Sequence, residues 1–160
     1  MELTQERPLA QRIETREKIV AFEKLLDTHP EAKHGDCFPL KHDFADEMYV
    51  RTIFLPKGSL LTGKIHKHSH PNFLMTGKVE VVTEHGGIET LTAPIAMISK
   101  AGTKRAVYAI EDSVWITVHS NTTNTQDLAE IEEEVIARNF DEYAKFIESK
   151  KLKIENRGGL

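Results

Sequence analysis

The segment PKGSLLTGKIHKHSHPNFLMTGKVEVVT, residues 56–83, determines the fold of this chain. Its apolar residues come in short runs separated by glycine and proline, which indicates strands joined by turns. His66, His68 and His70 lie between the first two runs. Because side chains alternate in direction along a strand, the three imidazoles would share one face if the chain stayed extended to Pro71. Imidazole is a common ligand of divalent metals, so this spacing favours a metal site over three unrelated surface histidines.

Composition narrows the classes of protein to which the chain can belong. With 160 residues, 39% of them hydrophobic and 29% charged, it is long enough for one domain with a core. The net charge of −4 argues against nucleic-acid binding through a basic surface. The N-terminal residues lack the apolar stretch of a signal peptide, and the single cysteine, Cys37, excludes an internal disulfide. We therefore expect a cytoplasmic protein that binds neither membrane nor nucleic acid.

The sequence outside this segment predicts a β-domain between helical ends. Within residues 37–120, about eight short apolar runs alternate with turn signals, and no helical pattern interrupts them. This arrangement is typical of a β-sandwich or barrel. We predict an N-terminal helical extension at 1–36, the β-domain at 37–120, and C-terminal helices with a tail at 121–160.

Apolar residues at helical spacing predict one helix before the β-domain and two after it. The first covers residues 8–28, and its apolar stripe comprises Leu9, Ile13, Ile19, Val20, Phe22, Leu25 and Leu26. Asp127 and Glu130 form a capping box that starts the second helix, with Leu128, Ile131, Val135 and Ile136 on one face. Asn139 and Glu142 start a short third helix, and the tail that follows is expected to fray.

These helices also predict an assembly. Three amphipathic helices offer more apolar surface than one small barrel needs, and the edge of an open sheet attracts further strands. We therefore predict a homodimer in which Phe22, Leu25 and Leu26 lie partly in the interface.

The histidine segment resembles the first motif of the cupin superfamily. That motif is a glycine, a His-x-His pair, a glutamate a few residues later, and a glycine that enters the next strand. The matching residues here are Gly58 or Gly63 for the first glycine, His66/His68 or His68/His70 for the pair, and Gly77 for the last glycine. The resemblance covers about residues 37–120 and implies a single cupin-like jelly-roll barrel with a helix before it and two after it.

The second cupin motif, Pro-x-Gly followed by a histidine, has its nearest match in SKAGTKRAV, residues 99–107. Here Ala101 replaces the proline, and Arg105 falls where the histidine is expected. The segment is also similar to small cupin-like proteins of unknown function from bacteriophages, which carry a TGKIH core and an SKxGTKR segment. The chain therefore departs from the usual ligand set of three histidines and one glutamate.

The resemblance implies a modified ligand set. Counted back from Gly77, the slot of the cupin glutamate falls on His70, the second histidine of the pair is His66, and Lys64 takes the place of the first. Some cupins hold iron with three histidines and no carboxylate. His119, which ends the last strand, could complete such a set from across the barrel, with His68 in reserve.

Two functions follow as alternatives. In the first, the barrel binds a divalent metal (iron, manganese, nickel or zinc) and binds or acts on a small molecule, with dioxygenase and isomerase chemistry both open. In the second, the barrel is free of metal and binds a small anion such as a sugar phosphate or a nucleotide. The cations that favour the second are Lys64, Lys104 and Arg105, since ammonium and guanidinium groups bind phosphates and carboxylates.

Overall fold

The computed structural model describes residues 6–158 of the chain. The helices are α1 (Leu9–Asp27), α2 (Leu128–Val135) and α3 (Phe140–Gly158). The strands are β1 (Leu40–Ala45), β2 (Met48–Leu55), β3 (Leu60–Thr62), β4 (Ile65–His66), β5 (His70–Thr76), β6 (Lys78–Thr83), β7 (Gly87–Thr92), β8 (Ile95–Ser99), β9 (Arg105–Ala109), β10 (Ser113–Ser120) and β11 (Ile136–Ala137).

Nine of the described strands form two facing antiparallel sheets, and β4 and β11 form a separate two-stranded pair. One of the facing sheets has the order β1-β2-β10-β5-β8 and the other the order β3-β9-β6-β7, so the chain crosses repeatedly from sheet to sheet. Alternate apolar residues meet between the sheets and form the core, which includes Leu55, Leu74, Val79, Val107 and Trp115. The fold is therefore a mainly β jelly roll with one helix before it and two after it, which confirms the predicted class.

Gly77 makes the tight turn between β5 and β6 possible. Its φ of +86° lies in the left-handed region, and the carbonyl of Asp112 occupies the space that a side chain would need. The turn passes the chain from the five-stranded sheet to the four-stranded one. It thereby leaves β5, which begins with His70, in one sheet and places β6 in the other, where it pairs with β9.

Helix α1 begins and ends within one residue of its predicted bounds, but it packs differently from the prediction. Leu9 and Leu25 are exposed, and Ile19 is the buried residue of the helix. Charged side chains make much of the contact with the four-stranded sheet: Arg16 donates to the carboxylate of Glu84 at 2.8 Å. The prediction of an apolar packing face on α1 is therefore corrected: the face that contacts the barrel contains both apolar and charged side chains.

The other main anchor of α1 is an ion pair between Lys104 and Glu23. Lys104 Nζ lies 2.8 Å from Glu23 Oε1 and also donates to the carbonyl of Gly63 at 3.1 Å. The lysine side chain is 6% exposed and that of Glu23 is 35% exposed. A pair of this kind holds the helix in place, because the buried ammonium of Lys104 has only Glu23 and the Gly63 carbonyl to stabilise its charge.

Replacing Lys104 by methionine should lower the free energy of unfolding by about 2 kcal/mol, since the Gly63 carbonyl loses its donor and Glu23 keeps only the hydroxyl of Thr62. Lys64→Met is the matched control, because Lys64 pairs with Glu132 at an exposed position. We expect the control to change stability by less than about 0.5 kcal/mol. Urea unfolding followed by circular dichroism measures both, and equal losses would contradict this role for Lys104.

The C-terminal segment agrees with the prediction at its start and departs from it later. Asp127 caps α2 by accepting hydrogen bonds from the backbone N–H groups of Ala129 and Glu130. Ile136, expected in this helix, instead begins β11, which pairs with β4. Helix α3 runs to Gly158, so the described part of the expected frayed tail is helical.

No described helix is both long and apolar enough to cross a membrane. Of the residues expected in a dimer interface, Phe22 and Leu26 are half-buried and Leu25 is exposed. Phe22 also lines a groove between α1 and the four-stranded sheet, so part of the helix covers the barrel of its own chain. The homodimer stays a prediction.

Candidate metal centre

Three histidines from separate strands meet at one end of the barrel. His66 comes from β4, His70 from the first position of β5, and His119 from the penultimate position of β10. One ring nitrogen of each lies within 4.8 Å of those of the other two, and the ring centroids are 4.3, 4.6 and 5.0 Å apart. His70 is 4% exposed and His119 is 7% exposed, whereas His66 is half-buried and gives the cluster its exposure to solvent.

The tautomer of His70 follows from its hydrogen bond. Its Nδ1 lies 3.1 Å from the carbonyl oxygen of His68. A carbonyl can only accept, so Nδ1 carries the proton and Nε2 presents a lone pair. That Nε2 atom is buried and has no hydrogen-bond partner. A buried acceptor without a partner is costly, and a metal ion would satisfy it.

The protein environment keeps these imidazoles neutral. Burial is the main cause that lowers the pKa of His66 to about 2, and the adjacent His70 and His119 lower it further. Burial likewise lowers the pKa of His119 to about 3, with a further contribution from His70. The pKa of His70 is also lowered, chiefly by burial, although its hydrogen bond to His68 opposes this. Neutral imidazole is the form that binds metal, so at neutral pH the three histidines can bind an ion without first losing a proton.

Backbone pairing positions His66. It lies opposite Ile136 in the β4–β11 ladder, and its carbonyl accepts from the N–H of Gly102 at 2.8 Å. The strand pair ties the C-terminal segment to the histidine cluster. This pairing could not be read from the sequence, because β11 is two residues long and lies between two helices.

Tyr49 supports His119 from the side away from the cluster. The two rings are stacked with centroids 5.9 Å apart, and the hydroxyl of Tyr49 lies 2.8 Å from Nδ1 of His42. Tyr49 also belongs to the small apolar cluster that includes Ile131 and Val135 of α2. Helix α2 therefore packs against the residue that stacks on His119.

A polar network lies next to the histidines in the barrel interior. Asn72 donates to Ser99 Oγ at 2.6 Å and accepts from the indole N–H of Trp115 at 3.0 Å. Ser99 also accepts from the guanidinium of Arg105, which lies over the Trp115 ring at 5.5 Å from its centroid. Burial lowers the pKa of Arg105 to about 10, a value at which it still carries its charge at neutral pH.

Thr117 and Arg51 complete this part of the interior. They lie opposite each other in the β2–β10 ladder, and Thr117 also lies opposite Asn72 of β5. The hydroxyl of Thr117 is buried and has no hydrogen-bond partner. Arg51 approaches Asp36, with 3.8 Å between their charged atoms. The interior beside the cluster thus offers hydrogen-bond donors and cations.

The geometry of the cluster fits a metal ion after a small adjustment. Nitrogens bound to one tetrahedral zinc ion at about 2.0–2.1 Å lie about 3.4 Å apart. The three ring nitrogens lie within 4.8 Å of one another, so movements of the imidazoles that shorten these distances by at most about 1.5 Å would close the site. The donor set of three neutral imidazoles suits zinc, iron and nickel and leaves coordination positions open for another ligand.

No protein-family model and no curated protein matches this chain. Solved structures similar to it include KdgF from Halomonas sp., with 19% identity, a TM-score of 0.47, and coverage of 59% of this chain and 90% of that one. An RmlC-like cupin family protein from Methanocaldococcus jannaschii, with a double-stranded β-helix fold, has 11% identity and a TM-score of 0.45 over 56% of this chain and 85% of its own.

An acetylacetone dioxygenase from Acinetobacter johnsonii is also similar, with 21% identity and a TM-score of 0.45 over 57% of this chain and 65% of its own. Cupin-family proteins are thus among the structural neighbours of this chain. Since these TM-scores lie below 0.5, the assignment of the fold class rests on the order of the strands in the two sheets.

The structure separates His68 from the other predicted ligands. The chain bends at residues 67–69 instead of staying extended, so β4 and β5 belong to different sheets. His68 is exposed and contacts the ring of Phe146 edge-on, with centroids 5.4 Å apart. The expectation that all three histidines of the segment share one face is corrected, since the bend turns His68 outward.

The three predicted cations do not converge on one site. Lys64, which takes the place of the first motif histidine, is exposed and paired with Glu132 of α2. Lys104 is buried in its ion pair with α1. Arg105 alone points into the barrel, in line with the buried residues of β9.

The residues of the interior that sequence reasoning missed are Ser99, Asn72, Thr117, Arg51 and Tyr49. The alternation of side chains along β10 could have identified Thr117, because it points to the same face as Trp115 and His119. The others depend on which strands become neighbours. That order is a property of the folded sheet and not of any single segment.

Proposed function

We propose that this protein is a cupin that holds one divalent metal ion with His66, His70 and His119 and binds a small molecule at the open coordination positions. The observation that carries the proposal is the buried Nε2 of His70, which has a lone pair, no hydrogen-bond partner, and two neutral imidazoles beside it. Such an arrangement costs stability unless a ligand satisfies it.

In this proposal the metal would supply Lewis acidity to an oxygen of the bound molecule. The chain's own residues hold and orient it. The carbonyl of His68 keeps the proton on Nδ1 of His70, so that Nε2 is the donor atom. Tyr49 limits rotation of His119 by stacking, and the burial of His70 and His119 limits the access of bulk water to the site.

The cupin assignment supports this function through the motif resemblance of the histidine segment and through the jelly-roll order of the strands. Dioxygenase and isomerase chemistry both remain open to a cupin of this kind. The similarity to bacteriophage proteins stays a prediction, and it carries no part of the proposal.

Metal analysis of untagged protein tests the proposal. Separate samples are incubated with iron, manganese, nickel and zinc, dialysed, and measured by plasma mass spectrometry. We expect about one ion per chain for at least one of these metals. Less than about a tenth of an ion per chain for all four would overturn the proposal.

A second candidate function is a metal-free barrel that binds a small anion. Arg105 favours it, because its buried guanidinium has no acidic partner among residues 6–158. Lys64 and Lys104 add no support, since each is already paired with a carboxylate. Stabilisation of metal-free protein by sugar phosphates or nucleotides, lost in Arg105→Met, would favour this second function over the first.

A further inference from the structure

We propose that the small molecule of this site is a chelating carboxylate, which places its carboxylate against Arg105 and a second oxygen on the metal. The inference rests on the proposed metal site and adds the class of molecule that occupies it. Four features of the barrel interior support it: the missing counter-ion of Arg105, the closeness of Arg105 to the histidines, the balance of charge, and the shape of the donors.

Arg105 is a half-buried residue whose guanidinium lies in the interior and lacks a counter-ion. It begins β9 and points inward with Val107 and Ala109. Its hydrogen bond within the described chain goes to the neutral hydroxyl of Ser99, and no carboxylate of residues 6–158 forms an ion pair with it. A buried charge without a partner is strongly destabilising, so the carboxylate of a bound molecule would relieve a cost that the fold otherwise carries.

The sheet register brings Arg105 close to the histidine cluster. Ser99, which accepts from the guanidinium, lies directly opposite His70 in the β5–β8 ladder. Residues opposite each other in an antiparallel pair have Cβ atoms about 4.5–5.5 Å apart. The guanidinium is therefore held within the length of a small molecule from Nε2 of His70.

The balance of charge also requires an anion. A divalent ion on three neutral imidazoles, together with the guanidinium, places about three positive charges in a buried space. The cluster of ligating side chains contains no Asp or Glu among the residues the structure describes. The unpaired hydroxyl of Thr117 lies on the same wall, two residues from His119, and provides a further donor.

The shape of the donors favours a carboxylate over a phosphate. The guanidinium lies 5.5 Å from the centroid of the Trp115 ring, which bounds the space on one side. A planar carboxylate can lie in the plane of the guanidinium fork and accept two parallel hydrogen bonds. A tetrahedral phosphate needs donors on several sides, and the next cation, Arg51, is already near Asp36.

Calorimetric titration of zinc-loaded protein tests the inference, with zinc content measured in every sample. The probes are oxalate and pyruvate, the neutral chelator hydroxyacetone, the non-chelating acetate, and inorganic phosphate. We expect oxalate to bind at least about 10-fold more tightly than acetate or phosphate. Pyruvate should bind more tightly than hydroxyacetone, which lacks the carboxylate.

Arg105→Met should weaken oxalate binding by about 10- to 100-fold while zinc content stays near that of the wild type. Lys64→Met, which removes an exposed cation near β4, is the matched control and should bind oxalate like the wild type. Ser99→Ala removes the partner that holds the guanidinium and should give a smaller loss, about 3-fold. If Arg105→Met does not fold, the oxalate affinity of Ser99→Ala is used as the test instead.

The outcomes separate the two proposals. Wild-type protein that retains none of iron, manganese, nickel and zinc overturns the proposed function itself, and if it retains one of these other than zinc, the titration uses that metal. Zinc retention with unchanged oxalate affinity in Arg105→Met, or in Ser99→Ala where that variant carries the test, overturns the carboxylate site alone. Tighter binding of phosphate than oxalate, or equal oxalate binding with and without zinc, also contradicts a carboxylate that bridges the metal and Arg105.

Discussion

His119→Gln should reduce the zinc content of the purified protein from about one ion per chain to less than about a tenth. The free energy of zinc binding to structural sites is about 10–16 kcal/mol, so each of three or four protein ligands contributes roughly 3 kcal/mol or more. Loss of one ligand should therefore lower the affinity for zinc by at least about 100-fold. Glutamine keeps a polar side chain of similar reach, so the change removes the imidazole without opening a large cavity.

His68→Ala is the matched control. His68 belongs to the same histidine segment but is exposed and lies outside the cluster. We expect its zinc content to equal that of the wild type. Equal zinc loss in both variants would show that the histidines bind metal as a surface group, and full retention in His119→Gln would remove His119 from the ligand set.

Acid should destabilise the metal-free protein in a pH range set by the histidines. His66 and His119 have pKa values of about 2 and 3 in the fold, against an ordinary value of 6.5. The unfolded chain therefore binds more protons than the fold, so stability is fully present above about pH 6.5 and falls as the pH falls. Each histidine contributes about 1.4 kcal/mol per pH unit, which for two of them gives a loss on the order of 5 kcal/mol by about pH 4.5.

Urea unfolding in the presence of EDTA, at a series of pH values from about 7 down to about 4.5, measures this loss. The triple variant His66→Gln, His70→Gln, His119→Gln is the control, and its stability should change much less over the range. A wild-type unfolding midpoint that does not move between about pH 7 and about pH 5 would contradict a buried, neutral histidine cluster.

Much of the fold could be predicted, because it depends on local patterns. The apolar periodicity of residues 8–28 marks α1, and the side chain of Asp127 marks the start of α2. The turn signals between short apolar runs indicated an antiparallel β-domain. The packing face of α1 could not be predicted in this way, because it depends on Glu23 and Arg16 meeting charged partners far away in the sequence.

The candidate site shows the same division. The sequence and the cupin resemblance together suggested His66, His70 and His119, which the structure brings into one cluster. The exclusion of His68 required the bend at residues 67–69, and nothing in the alternating pattern indicates where a strand stops. The partners of Lys64 and Lys104 are 68 and 81 residues away in the sequence, so local sequence patterns could not predict these ion pairs.

The most direct test of the metal centre is an anomalous difference map from a crystal of the protein soaked in a zinc salt and measured at the zinc edge. We expect one strong peak about 2.0–2.1 Å from Nε2 of His70, with ring nitrogens of His66 and His119 at similar distances. A map with no peak among these three imidazoles, or with its strongest peak at the exposed His68, would contradict a metal centre at this cluster.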